Sequence, residues 1–243
     1  MSVPPAPVIE LSGVSKDYRG LRPLRVEALT LNAGEQLAVL GLDEVTAEVL
    51  INLVTGATLP DRGEVRVFGR PTSAIDASAD WLALVDRFGI VSHRAVLLDA
   101  LTVVQNLSMP FTLDIEPPPE DVRLRAVALA AEVGIAERGW ARPVAQLDPA
   151  ERVRLRLGRA LALDPGILLL EHVSADVPRN QVAALGAEIG AIMKRRGSAS
   201  LVATADEEFA GAVAPRVARL EPATGRLLER RAGFFGRLFG AQG

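Results

Sequence analysis

The residues able to do chemistry fall in a few short stretches. The chain has two histidines, His93 and His172, and no cysteine. Asp43, Glu44 and Glu48 crowd the stretch after an apolar run that ends at Gly41, and Glu171 precedes His172 at the end of another. An imidazole beside a carboxylate can act as a base or join a metal. Acids at a helix start do something plainer. The first N–H groups of a helix are unpaired and its dipole points its positive end outward, so a carboxylate there satisfies the helix from within. Asp43 has the position of such an N-cap. Asp148-Pro149-Ala150-Glu151 carries the same message, with an acid at the cap, proline at the first helical position and an acid three residues on.

The elements that must hold these residues read as an α/β pattern. Val8–Leu11 and Val26–Leu31 resemble short edge strands, and Gln36–Gly41 a buried strand running into a helix over Val45–Thr55. Thr55-Gly56 closes that helix, Pro60-Asp61-Arg62-Gly63 turns the chain, and Glu64–Phe68 is the next strand, ended by Gly69. Leu101–Leu147 is mainly helical, broken by Pro110 and Pro117-Pro118-Pro119, and reads as an inserted helical subdomain. A helix from Asp148 to about Leu163 precedes the apolar strands Ile167–Leu170 and Leu201–Thr204. Buried strands alternating with helices imply a mostly parallel core sheet flanked by helices.

Composition narrows the function classes. With 243 residues and 49% hydrophobic content the chain can bury a sizeable core. The net charge of −3, with Lys only at 16 and 194, argues against a nucleic-acid partner. Without cysteine there are no disulfides or thiolate metal sites. No apolar run approaches the ~18 residues of a spanning helix and Met1–Pro7 lacks a signal-peptide core, which points to the cytoplasm.

Taken in order, the segments over about Val8–Leu228 resemble the nucleotide-binding domain of ABC transporters. Lys16-Asp17-Tyr18 is similar to the loop whose aromatic ring stacks on adenine, and Gly34–Gly41 to the strand entering the phosphate-binding loop. Leu101–Leu107 resembles the segment after the Q-loop, and Arg159–Leu170 the stretch from signature helix to Walker B strand. The resemblance implies a P-loop NTPase-like fold over 1–228. It includes an antiparallel N-terminal β region and a helical subdomain at about 94–147, and 229–243 remains as a tail.

The resemblance also shows what is missing. A GxxxxGK[ST] loop needs glycines for close amide approach, Lys for charge and a hydroxyl for Mg²⁺. Here only Gly41 matches: Thr46 stands at the second glycine, Ala47 at the lysine and Glu48 at the hydroxyl. Leu147-Asp148-Pro149-Ala150-Glu151 replaces the signature LSGGQ. Glu171 and His172 fall at the Mg²⁺-binding Asp and catalytic Glu, His93 at the Q-loop Gln and Ala205 at the switch His. The cofactor-binding positions Tyr18, Gly41, Glu44, Thr46, Ala47, Glu48 and Asp148 thus form a degenerate set. The expectation is a pseudo-ATPase without a cofactor, acting as structural or regulatory partner of a membrane permease or an active ABC ATPase subunit, peripheral at the inner face of the membrane. Two alternatives stand beside it. One is a divergent Mg-ATP hydrolase in which Glu171 holds the metal and His172 is the base; the other is a soluble scaffold or sensor.

Two smaller readings remain open. His93, His172 and Glu171 would lie together under the resemblance and could bind Zn²⁺ or another divalent metal; lacking a fourth ligand, they more simply fill space, pairing with one another or with solvent. The tail from Arg230 to Gly240 mixes Arg with Phe234, Phe235, Leu238 and Phe239, and either docks on a membrane surface or partner or folds back on its own domain.

Overall fold

The computed structural model describes residues 6–75 and 78–229. In chain order its strands and helices begin with β1 (Pro7–Lys16), β2 (Leu24–Asn32), β3 (Gln36–Leu40), α1 (Glu44–Val54), β4 (Arg62–Val67) and β5 (Arg70–Pro71). Next come α2 (Ser78–Val85), β6 (Phe88–Ser92), α3 (Val103–Ser108), α4 (Glu120–Glu132), α5 (Pro149–Leu161) and β7 (Ile167–Glu171). The chain closes with α6 (Arg179–Arg196), β8 (Ala199–Thr204), α7 (Glu207–Val213), β9 (Arg216–Leu220) and β10 (Leu227–Glu229).

The strands form two sheets. The larger runs β10-β9-β3-β8-β7-β6, parallel from β9 to β6 with β10 antiparallel at one edge. The smaller is antiparallel, β2-β1-β4-β5. Here the sequence expectation of two short edge strands needs correction. β1 is ten residues long and lies inside its sheet, with β2 on one side and β4 on the other. Leu11 pairs with Leu29 across one ladder and Val65 across the other, so both edges of β1 are hydrogen-bonded.

Strand periodicity explains why the large sheet is buried on both faces. Successive side chains point to opposite sides. Leu37, Val39, Ile167, Leu169, Leu201 and Ala203 therefore enter the core shared with the small sheet and α1, while Ala38, Leu40, Leu168, Leu170 and Val202 enter the core shared with α3 to α7. Apolar runs without alternation are what such a sheet requires. Residue 169 is fully buried. At 25 cal/mol per Å² burial of this kind is worth roughly 1.5–3 kcal/mol for each large aliphatic side chain.

Between β6 and β7, α3 and α4 pack on α5. Val103, Leu107, Ala126, Leu129, Val153 and Leu157 share one core with the sheet. Proline sets the helix limits: Pro110 follows α3, and Pro119 is the N-cap of α4. Among the described residues no helix is long and apolar enough to cross a membrane. The tail residues Phe234, Phe235, Leu238 and Phe239 lie outside the described residues.

Candidate functional site

The site forms where the parallel strands end and the chain turns into the next helix. β3 ends at Leu40, and Gly41 carries the chain away with φ 90°. A Cβ at this position would lie 2.9 Å from the Leu220 carbonyl oxygen, so residue 41 must be glycine for backbone reasons alone. Leu42 is buried, and Asp43 begins α1 as its N-cap.

The carboxylate of Asp43 answers the free amides of α1. Its Oδ1 accepts from the Thr46 N–H at 2.8 Å and from the Thr46 hydroxyl at 2.5 Å. These bonds, the hydroxyl's first and the amide's second, hold the Asp43 carboxyl below the ordinary aspartate value of 3.8. Ala47 follows, fully buried in the core between the sheets. The start of α1 thus carries an internal anion and offers no ammonium group.

Glu48, one residue on, faces a partner that sequence inspection missed. The Arg94 guanidinium bridges two carboxylates: one nitrogen contacts Glu48 Oε1, and the other lies 2.6 Å from Glu171 Oε2. Glu171 ends β7 with its side chain only 1% exposed, a place where an unpaired charge would be very costly. Burial works against the charge on Arg94, but its bonds to Glu171 and then Glu48 outweigh burial and raise its pKa. The sequence held one indirect signal, since Arg94 adjoins His93, the residue at the Q-loop position.

The two histidines share a cavity of about 230 Å³ with Arg152, Arg156 and Asp176. They do not form the suggested metal centre. The Glu171 carboxylate is taken by Arg94, the His93 residue is exposed, and among the described residues no three His, Asp or Glu side chains are placed to hold a metal. Nor is a histidine the ion-pair partner of Glu171; that partner is Arg94. His172 is buried, at a left-handed φ of 44°, and its Nε2 has no hydrogen-bond partner among the described residues. Ala205 is exposed after β8 and shares a second pocket with His172. Beside it Asp206 caps α7, binds Ser174 and pairs with Arg179 at 2.6 Å.

The remaining predicted positions serve local structure. Asp148 and Glu151 form the capping box of α5 with Pro149 in its first turn, and Arg142 pairs with Glu151 at 3.2 Å. The anion at this helix start is again the chain's own. Tyr18 is half-buried against the core of the small sheet. Glu44 is exposed in the first turn of α1.

The chain that builds this strand, loop and helix is matched by known sequences. The profile of a family described as ABC transporter matches residues 24–175. This chain belongs to the ABC transporter family. It is 31% identical over 225 residues to the methionine import ATP-binding protein MetN of Leifsonia xyli subsp. xyli, covering 91% of this chain and 64% of that protein. The MetN of Brucella abortus (strain 2308) is 28% identical, over 89% of this chain and 58% of its own length. The chain therefore spans about three fifths of these relatives. Among solved structures, cbiO1 from Clostridium perfringens, described as part of the ABC transporter complex cbiONQ, superposes with a TM-score of 0.76 at 20% identity, covering 91% of this chain and 87% of that one. The ATP-binding cassette MJ0796, a dimer bound to ADP and Pi, gives 0.74 at 22% identity, covering 93% and 100%. Both likenesses show the ABC ATPase fold.

Members of the ABC transporter family are expected to take Mg-ATP here, and the residues present do not fit it. The amide and hydroxyl of Thr46 are bound to Asp43, Ala47 brings no cation, and both Glu48 and Glu171 are occupied by Arg94.

The cap on α1 makes a prediction about acid stability. Because the folded Asp43 pKa is depressed, its contribution is complete above the unfolded value, near 4, and is lost as pH falls through the folded value. Asn is an equally good N-cap without a proton to gain. Asp43→Asn is expected to change stability at pH 7 by under about 1 kcal/mol. The decline between about pH 5 and pH 3 should be shallower than in the parent, as read by urea unfolding at several pH values. An unchanged acid slope would remove Asp43 from the account.

Proposed function

We propose that this chain is a non-hydrolysing ABC-type subunit, a structural or regulatory partner of a membrane permease or of an active ABC ATPase subunit, held at the inner face of the membrane by that partner. The start of α1 carries this reading. A nucleotide phosphate needs free amides and a lysine there. Instead Asp43 occupies the amide and hydroxyl of Thr46, and Ala47 is buried. An added triphosphate would have to displace Asp43 and sit among Asp43, Glu44 and Glu48, whose like charges oppose it.

The MetN relatives are import ATP-binding proteins, which supports a transport setting for this chain and a permease as its partner. Hydrolysis is the weaker reading, since a Mg²⁺ role for Glu171 requires Arg94 to leave.

Thermal unfolding with Mg-ATP tests the proposal. A site with Kd about 10 µM, at 1 mM ligand, would add about 2.7 kcal/mol and raise the midpoint of a chain this size by about 5–10 °C. The expected shift is below 1 °C, about what no binding gives, and calorimetric titration should show no saturable heat. Micromolar binding by either method would overturn the non-hydrolysing assignment and make turnover the next measurement.

A further inference from the structure

We infer that Glu48 and Glu171 are the two carboxylates of a divalent-cation position that this chain fills with its own guanidinium, Arg94. The inference rests on the functional reading above only for the identity of the displaced cation; its geometry stands by itself. Glu48 comes from α1, Glu171 from the end of β7 and Arg94 from the loop after β6. One planar group with nitrogens at fixed angles reaches both acids, which a lysine ammonium, a single point of charge, does less well.

The backbone supports the bridge. Ser92 pairs with Glu171 in the β6–β7 ladder, and the Arg94 N–H donates to Ser92 Oγ at 3.2 Å. The side chain therefore leaves from a point registered to the carboxylate it must meet. A hard divalent ion is held by carboxylate oxygens in the same way, one ligand from each element. Arg94 replaces it with a tethered cation that cannot dissociate. A metal between the two carboxylates would join α1 to β7 only when bound; Arg94 joins them without one and ties the loop after β6 to both. The loop that begins at His93 is fixed to α1 and to β7 whatever the metal or nucleotide concentration.

This predicts a gain as well as a loss. Without Arg94, the buried Glu171 and the nearby Glu48 are left as an uncompensated pair, which destabilises the fold and creates a position that a divalent ion can fill. A strut of merely structural value would give the loss alone.

The experiment uses the full chain and Mn²⁺ as probe. Arg94→Ala is expected to lower the thermal midpoint in EDTA by about 5–10 °C. Millimolar Mn²⁺ should restore at least half of that loss, while moving the parent by less than 1 °C. Electron paramagnetic resonance of free Mn²⁺ should show at least tenfold tighter binding by the variant than by the parent, and Arg94→Ala with Glu48→Gln should lose it. If Arg94→Ala does not fold, Arg94→Met keeps the apolar stem and is read by the same resonance titration. A variant that binds Mn²⁺ no better than the parent overturns the inference, as does stoichiometric Mn²⁺ binding by the parent. Neither result touches the nucleotide titration. Binding of Mg-ATP by the parent overturns the functional reading whatever Mn²⁺ does.

Discussion

Gly41→Val is expected to cost about 3–5 kcal/mol and to lower the thermal midpoint by about 10 °C or more. Residue 41 sits at φ 90°, where a β-branched side chain is strained, and its new Cβ would lie 2.9 Å from the Leu220 carbonyl oxygen, a rigid backbone atom of β9. The parallel pairing of β3 with β9 leaves no room to retreat without breaking the ladder. Thr46→Gly, which writes a glycine back at the second loop position, should cost only about 1–2 kcal/mol, from helix propensity and the lost Thr46 hydroxyl bond to Asp43. Equilibrium unfolding of both variants compares the two positions. The contrast separates the two positions: Gly41 is demanded by the fold, whereas the backbone at 46 accepts a side chain. Equal costs at the two positions would contradict that account.

Asn106→Leu is the second large effect, expected at about 2–4 kcal/mol. Asn106 is fully buried on α3. Its Oδ1 accepts from the Leu98 N–H at 3.0 Å, and its Nδ2 donates to the Leu98 and Thr102 carbonyls, each at 3.0 Å. Leucine fits the volume but leaves the Leu98 N–H unanswered, while the Leu98 and Thr102 carbonyls keep only their backbone donors, the N–H groups of Leu101 and residue 106. The loss should be local as well as global: hydrogen exchange at the Leu98 amide should lose its protection first. Unchanged stability together with a protected Leu98 amide would show that this side chain is not what holds the loop.

Much of the site was legible where the chemistry is local. Asp43 as N-cap of α1, and Asp148, Pro149 and Glu151 at the start of α5, follow from groups within three residues of one another, so spacing states the contact directly. β3, β7 and β8 were legible because burial on both faces leaves only apolar residues to read. β1 was misplaced at an edge because its two partners lie elsewhere in the chain, and a strand's own residues do not say how many neighbours it has.

Arg94 marks the boundary most sharply. It reaches Glu171 across 77 residues of sequence and Glu48 from the other side, and only its place beside His93 sets it apart in the sequence from the many other arginines. A salt bridge between distant residues has no period and no motif; only the register of β6 on β7 and the packing of α1 on the sheet put its three groups together. Alone, the sequence determined the caps of α1 and α5 and the apolar strands β3, β7 and β8, because each is written in adjacent residues. The tertiary structure decided that Arg94 stands between Glu48 and Glu171, because charge pairing depends on distance in space.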